Sequence, residues 1–190
     1  MSQQESSKRT QIINIALGLA VALLIGINAW SAMHDSSDQT HVMTGKPAPD
    51  FTLKQTGEAQ ALSLSQYKGK VVLLDFWALY CKPCLKQMPI LEEVQRSFQG
   101  QPFTVISVNS DHHLTPGRNE RIHNLVRDGG FSFPIVLDTG QTIKDYQISK
   151  IPAFFLIDAE GVIQEAHSGL SSKRELSDAI ARLLNPSEKP

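Results

Sequence analysis

Cys81 and Cys84 carry the most reactive side chains of the sequence, and they are the only two cysteines among its 190 residues. Lys82 and Pro83 separate them, and this spacing lets the two sulfurs bond to each other when the chain is helical. The pair can therefore cycle between a dithiol and a disulfide, which is the chemistry of thiol–disulfide exchange. We predict that Cys81 is the attacking thiolate and that Cys84 resolves the mixed disulfide.

The segments on either side of the pair predict how the sulfurs are held. Residues 70–77 form a nearly continuous apolar run, typical of a central strand that is buried on both faces. A thiolate at the start of the following helix would be stabilised by free backbone N–H groups and by the helix dipole. Lys82 adds a positive charge, and Pro83 suits a first helical turn because it has no N–H. The helix itself is predicted by apolar residues at spacings of three and four: Leu85, Met88, Leu91, Val94 and Phe98.

Asp75 is the one acid within the predicted central strand. A buried carboxyl has a raised pKa, so we predict that Asp75 accepts the proton of the buried thiol of Cys84. The alternative is an acid at the end of the strand that is exposed to water.

Other interpretations of the cysteines remain open. A structural disulfide would close a very small loop and stabilise little. Half of a zinc site would need partners, and the spacing of the available histidines, His112, His113, His123 and His167, matches no structural zinc pattern. We predict no metal and no cofactor, and a solvated loop for His112 and His113.

Composition and charge restrict the class of protein. The chain is 41% hydrophobic and 19% charged, which fits a globular domain with a short appendage. Its 18 basic and 19 acidic residues give a net charge of −1, so nucleic acid is not an expected partner.

The amino-terminal segment is long and apolar enough to span a bilayer. Residues 12–30 contain no charge, and Lys8 and Arg9 precede them, which predicts a cytoplasmic N-terminus. A cleaved signal peptide is the alternative, although its apolar core is usually shorter. We predict four segments: a cytoplasmic tail at 1–11, a transmembrane anchor at 12–30, a linker at 31–44 and an exported domain at 45–190.

The remaining pattern predicts an α/β fold. We expect a second buried strand at 103–108, helices at 119–128 and 142–146, a hairpin formed by 153–157 and 162–166, and a last helix that begins with a capping box at Ser172 and Glu175. This order indicates a mixed central sheet with helices on both faces.

The segment from Asp75 to Cys84 resembles the thioredoxin active-site motif D-F-W-A-x-W-C-x-P-C. The wider sequence resembles the membrane-anchored, TlpA-like (ResA-like) thiol–disulfide oxidoreductases, with similar stretches at 45–53, 64–70, 133–138 and 151–158. The resemblance implies that residues 45–190 form a thioredoxin-like domain, which is a thioredoxin fold with an N-terminal extension and a central insertion. It also implies that the Ile151–Pro152 bond is cis and that Ile151, Pro152, Tyr80 and Trp77 contact the substrate.

Three residues depart from the family pattern. Tyr80 stands where relatives commonly have Trp, and Ala153 stands where they often have Thr. Gln87 occupies a position that is Glu in ResA-like members. Because Gln cannot accept a proton, we expect Asp75 to supply the acid–base function instead.

The resemblance implies an enzyme that exchanges disulfides with exported proteins, held at the bacterial inner membrane with its catalytic domain in the periplasm. We expect it to act as a reductant, with apocytochrome c as a client that the family suggests and a membrane electron donor as its partner. Alternatives are a periplasmic oxidant, a tethered binding or chaperone module, and a peroxiredoxin-like thiol peroxidase. The peroxidase would need Thr or Ser at Ala78.

Overall fold

The computed structural model describes residues 42–111 and 114–185, together with Leu23. The chain divides into two units, Met1–Ser37 and Asp38–Pro190, and the fold below belongs to the second. The predicted tail, almost all of the predicted span at 12–30, and the pair His112 and His113 lie outside the described residues. None of the helices described is both long enough and apolar enough to cross a membrane.

One mixed sheet of seven strands organises the described residues, in the order β2-β1-β5-β4-β3-β6-β7. Its strands are β1 (Thr52–Gln55), β2 (Ala61–Ser63), β3 (Val71–Trp77), β4 (Phe103–Asn109), β5 (Ile135–Leu137), β6 (Ala153–Ile157) and β7 (Ile163–Ser168). The helices are α1 (Lys82–Ser97), α2 (Arg118–Gly129), α3 (Thr142–Asp145) and α4 (Lys173–Leu184), and a 3-10 turn covers Leu64–Tyr67.

Strand β3 lies near the middle of the sheet, and all seven of its residues are buried. It pairs in parallel with β4 and antiparallel with β6, so both of its edges are hydrogen-bonded. The nearly continuous apolar run of the sequence is explained by this position, because a strand covered on both faces needs no polar side. The predicted central strand is confirmed.

Helices cover both faces of the sheet, but unequally. Buried residues of α1, α2 and α4 pack in one cluster with Leu73 and Trp77 of β3. The opposite face is covered by α3, the 3-10 turn and the segment before β1, around Phe76 and Tyr146. The cysteine pair therefore lies on the face that carries the long helices.

The N-terminal extension consists of β1 and β2 and joins the sheet at β5. This strand pairs in parallel with β4 and antiparallel with β1, and β1 in turn forms a hairpin with β2. Together with α2, β5 forms the central insertion that the resemblance implied. The predicted hairpin of β6 and β7 and the capping box at Ser172 are also present.

Candidate active site

The two cysteines form a disulfide across the first turn of α1, with their Cα atoms 5.2 Å apart. Cys81 is the N-cap of the helix, and its Sγ accepts a hydrogen bond from the backbone N–H of Cys84 at 3.2 Å. Cys84 is 1% exposed and Cys81 is 7% exposed, so the cysteine predicted to attack is the more accessible residue of the two. The same N–H would stabilise a thiolate on Cys81 in the reduced protein.

Lys82 and Pro83 occupy the first two helical positions, and both are exposed. The missing N–H of Pro83 removes one donor that the helix start would otherwise leave unpaired. Lys82 has no carboxylate partner among the described ion pairs, so its charge adds to the positive end of the helix dipole.

The loop before the cysteines is fixed by the carboxyl end of β4. The Trp77 carbonyl accepts hydrogen bonds from the Ser110 N–H at 2.8 Å and from its hydroxyl at 2.9 Å. The buried carboxylate of Asp111 accepts the Leu79 N–H at 2.7 Å and the Asn109 amide at 2.8 Å. These bonds hold the backbone that leads to the attacking sulfur.

Arg118 completes this anchor from α2. Its guanidinium donates to the Asn109 side chain at 3.0 Å and to the Asn109 carbonyl at 2.9 Å. Neither Asp111 nor Arg118 was predicted from the sequence. An acid two residues after a buried strand was the one available signal, because parallel strands that end side by side bring such residues to a common edge of the sheet.

Asp75 lies within β3 and is 2% exposed. Side chains alternate along a strand, so it shares the face of β3 with Leu73 and Trp77, which pack in the same cluster as Cys84. Burial raises its pKa from 3.8 to about 7, and the hydrogen bond from the Ser107 hydroxyl, at 2.9 Å, acts against that rise. Asp75 is thus a buried acid on the correct face, and the water-exposed alternative is wrong.

The Ile151–Pro152 peptide bond is cis, as the resemblance implied. The Pro152 carbonyl accepts the Gly169 N–H at 2.8 Å. Ile151 makes no backbone hydrogen bond within the described part of the chain, and its side chain packs partly against the cluster that contains the cysteines. Its N–H and C=O are therefore available to an extended peptide.

Tyr80 and Trp77 have different surroundings. The Tyr80 side chain is 75% exposed beside Cys81, where an incoming polypeptide can touch it. The Trp77 side chain is 0% exposed and packs in the core under the active-site loop. The surface offered to a substrate in this conformation therefore includes Tyr80, whereas Trp77 supports the loop from below.

Gln87 is 1% exposed and lies one turn beyond Cys84. Its amide nitrogen donates to the Ser171 carbonyl at 2.9 Å, and its amide oxygen accepts the Ser171 N–H at 3.0 Å. Both polar atoms of the side chain are therefore used in binding one backbone unit. The departure from Glu at this position has a structural role that the sequence did not indicate.

A disulfide at the start of a helix that follows the central strand of a mixed sheet, near a cis-proline loop, defines the class of protein. The chain is a protein thiol–disulfide oxidoreductase of the thioredoxin superfamily.

The similarity of the chain to known proteins shows to which family within this class it belongs. The chain belongs to the AhpC/TSA family, whose model matches residues 44–166. Thioredoxin-like protein YneN of Bacillus subtilis (strain 168) is 32% identical over 164 residues, which are 86% of this chain and 94% of the relative. Thiol-disulfide oxidoreductase ResA of the same strain is 29% identical over 182 residues, 95% of this chain and 97% of the relative.

A solved structure agrees with these relatives. The solution structure of a thiol:disulfide interchange protein from Bacteroides sp. has a TM-score of 0.64 and 27% identity, and the match covers 77% of this chain and 93% of that one. Within its family the chain is therefore a ResA/TlpA-like protein.

Proposed function

We propose that the protein is a membrane-tethered reductant of disulfides in exported proteins, with its catalytic domain on the periplasmic side of the bacterial inner membrane. The exchange chemistry of this proposal, in either direction, is carried by the hydrogen bond from the Cys84 N–H to the Sγ of Cys81 at the start of α1. It marks the sulfur that can exist as a thiolate while its partner remains buried. The charge-free segment at 12–30 supports the tether.

The reaction transfers two electrons from the reduced pair to the client. The Cys81 thiolate attacks one sulfur of the client disulfide, a mixed disulfide forms, and the second client sulfur leaves as a thiolate. The Cys84 sulfur then attacks the Sγ of Cys81, which releases the client as a dithiol and leaves the Cys81–Cys84 disulfide. A membrane electron donor must reduce that disulfide before the next cycle.

Asp75 is proposed to accept the proton of Cys84 during the second step. A thiol is a poor nucleophile until it is ionised, and a buried thiol resists ionisation. A carboxyl whose pKa is raised to about 7 by burial can accept this proton near neutral pH and release it afterwards.

The reduction potential of the purified full-length protein tests the direction of transfer. Equilibration with redox buffers and quantification of the Cys81–Cys84 disulfide should give a potential near thioredoxin's, about −270 mV. A potential near −120 mV would instead make the protein an oxidant. A periplasmic oxidant is the alternative function, because the hydrogen bond to the Cys81 sulfur stabilises the thiolate of the reduced state.

The client is proposed to be apocytochrome c before haem attachment. A defined substrate is a peptide with a C-x-x-C-H sequence in its disulfide form. The reduced protein should convert it to the dithiol, and a peptide with the same composition but separated cysteines serves as the control. Equal rates on both peptides would argue against this client while leaving disulfide reduction intact.

The thiol peroxidase has weak support at the site. Position 78, three residues before Cys81, is a buried alanine and carries no hydroxyl to bind a peroxide. Peroxide consumption with dithiothreitol as the donor should therefore stay at the level of a Cys81→Ser variant. Consumption that depends on Cys81 would favour the peroxidase.

A further inference from the structure

Gln87 connects the redox helix to the loop that follows β7. Its amide makes two hydrogen bonds to the Ser171 backbone, one to the N–H and one to the C=O. Two residues earlier, the Gly169 N–H binds the Pro152 carbonyl at 2.8 Å. A continuous path of short contacts therefore runs from the turn after Cys84 to the cis-proline loop.

Leu170 lies between the two anchored residues of this path. Its side chain is 54% exposed, although its neighbours Gly169 and Ser171 are both held by hydrogen bonds. Loops with exposed apolar side chains are usually mobile unless their backbone is fixed. The backbone on both sides of Leu170 is fixed. On the Ser171 side, the amide nitrogen of Gln87 makes one of the two hydrogen bonds and its amide oxygen makes the other.

From this arrangement we propose that Gln87 is a positioning residue for macromolecular clients. It holds the 169–171 segment, and through it the Pro152 loop and Leu170, against the helix that carries the cysteines. An amide does this at every pH, because it supplies a donor for the Ser171 carbonyl and an acceptor for its N–H at once, whereas a carboxyl can do so only while it is protonated. An ionised carboxylate there would face the Ser171 carbonyl oxygen without a proton to share.

The inference rests on the proposed reduction of protein disulfides, since a positioning role matters for clients that touch the segment. A small disulfide needs contact with the Cys81 sulfur alone. The effect should therefore appear in the KM for a protein or peptide disulfide and leave exchange with a small aromatic disulfide unchanged. Loss of overall stability would not produce this difference between the two substrate classes.

The test compares Gln87→Met with Gln95→Met in the full-length protein. Gln95 is a matched control, because it lies on the same helix and its amide oxygen accepts the Val105 N–H at 2.8 Å, two turns further from the cysteines. Gln87→Met should raise the KM for an oxidised peptide about tenfold, as expected when the binding-competent conformation falls to about a tenth of the population. Gln95→Met should leave that KM unchanged.

Two further measurements apply if Gln87→Met does not fold. Gln87→Glu preserves the size of the side chain and should raise the same KM at a pH at which its carboxyl is ionised, and the Ser171 amide of the wild-type protein should be protected from hydrogen exchange. A folded Gln87→Met variant or an ionised Gln87→Glu variant with the wild-type KM would overturn the proposal, as would rapid exchange at Ser171. If the wild-type protein fails to reduce the peptide, the proposed function fails instead, and that failure is visible before any variant is made.

Discussion

Replacing Asp75 with Asn should stabilise the oxidised protein by an amount that grows with pH. Burial raises the pKa of Asp75 to about 7 from 3.8, so in the folded state the carboxyl keeps its proton over a range where the unfolded chain has already lost it. Stability contributed by a raised pKa is complete below the unfolded value and is lost as the pH rises towards the folded value. At 1.36 kcal/mol per pH unit, a window of about three pH units corresponds to about 4 kcal/mol.

The assay is guanidinium unfolding of the oxidised wild-type and Asp75→Asn proteins from pH 4 to pH 9, in which the cysteines are bonded and do not titrate. The free energy of unfolding of the variant minus that of the wild type should rise by about 4 kcal/mol between pH 4 and pH 7, then level off. Any constant cost of burying the Asn amide shifts this curve vertically without changing its slope. Asp128→Asn, at an exposed position, is the control for removing a carboxylate. If the difference in free energy of unfolding between the two proteins stays constant from pH 4 to pH 9, the pKa of Asp75 is not raised in the folded state.

Three further predictions follow from particular contacts. Ser107→Ala removes the hydrogen bond that favours the ionised form of Asp75, so the midpoint of the same pH curve should move upwards by up to about one pH unit; a downward shift would contradict the assignment. Burial acts to raise the pKa of Glu92, but hydrogen bonds from Ser132 and Arg96 outweigh it and leave that pKa lowered. Glu92→Gln should therefore cost about 2 kcal/mol at pH 7, and the loss should shrink as the pH falls through the folded pKa; denaturant titrations at pH 7 and pH 3 measure both values. Cys84→Ser should accumulate mixed disulfides on non-reducing gels when mixed with an oxidised peptide, whereas Cys81→Ser should form none.

The position of the catalytic pair could be predicted because its signals are local. A nearly continuous apolar run predicted β3, and apolar residues at spacings of three and four predicted α1, so the junction between them placed Cys81 at a helix start. The burial of Asp75 followed from its place within that run. The cis bond before Pro152 came from the resemblance, since the sequence itself gives little sign of the isomer.

The parts that the sequence did not predict depend on distant contacts or on very short elements. Strand β5 has three residues, too few for any periodicity to distinguish it from a loop. The bonds between Gln87 and Ser171 join residues 84 positions apart, and the Asp111 bond to the Leu79 N–H joins residues 32 apart. Such contacts arise from the topology of the sheet, and no pattern within either segment encodes them.

The pH dependence of alkylation at each cysteine of the reduced protein tests most directly whether Cys81 is the attacking sulfur. Limited reaction with iodoacetamide, followed by peptide mapping, should show modification at Cys81 first, with a midpoint below the ordinary thiol pKa of about 8.5. This result is expected because the Cys84 N–H and the helix start stabilise the Cys81 thiolate, whereas Cys84 is buried. Modification of Cys84 first, or a Cys81 midpoint at or above about 8.5, would contradict the assignment of Cys81 as the attacking sulfur.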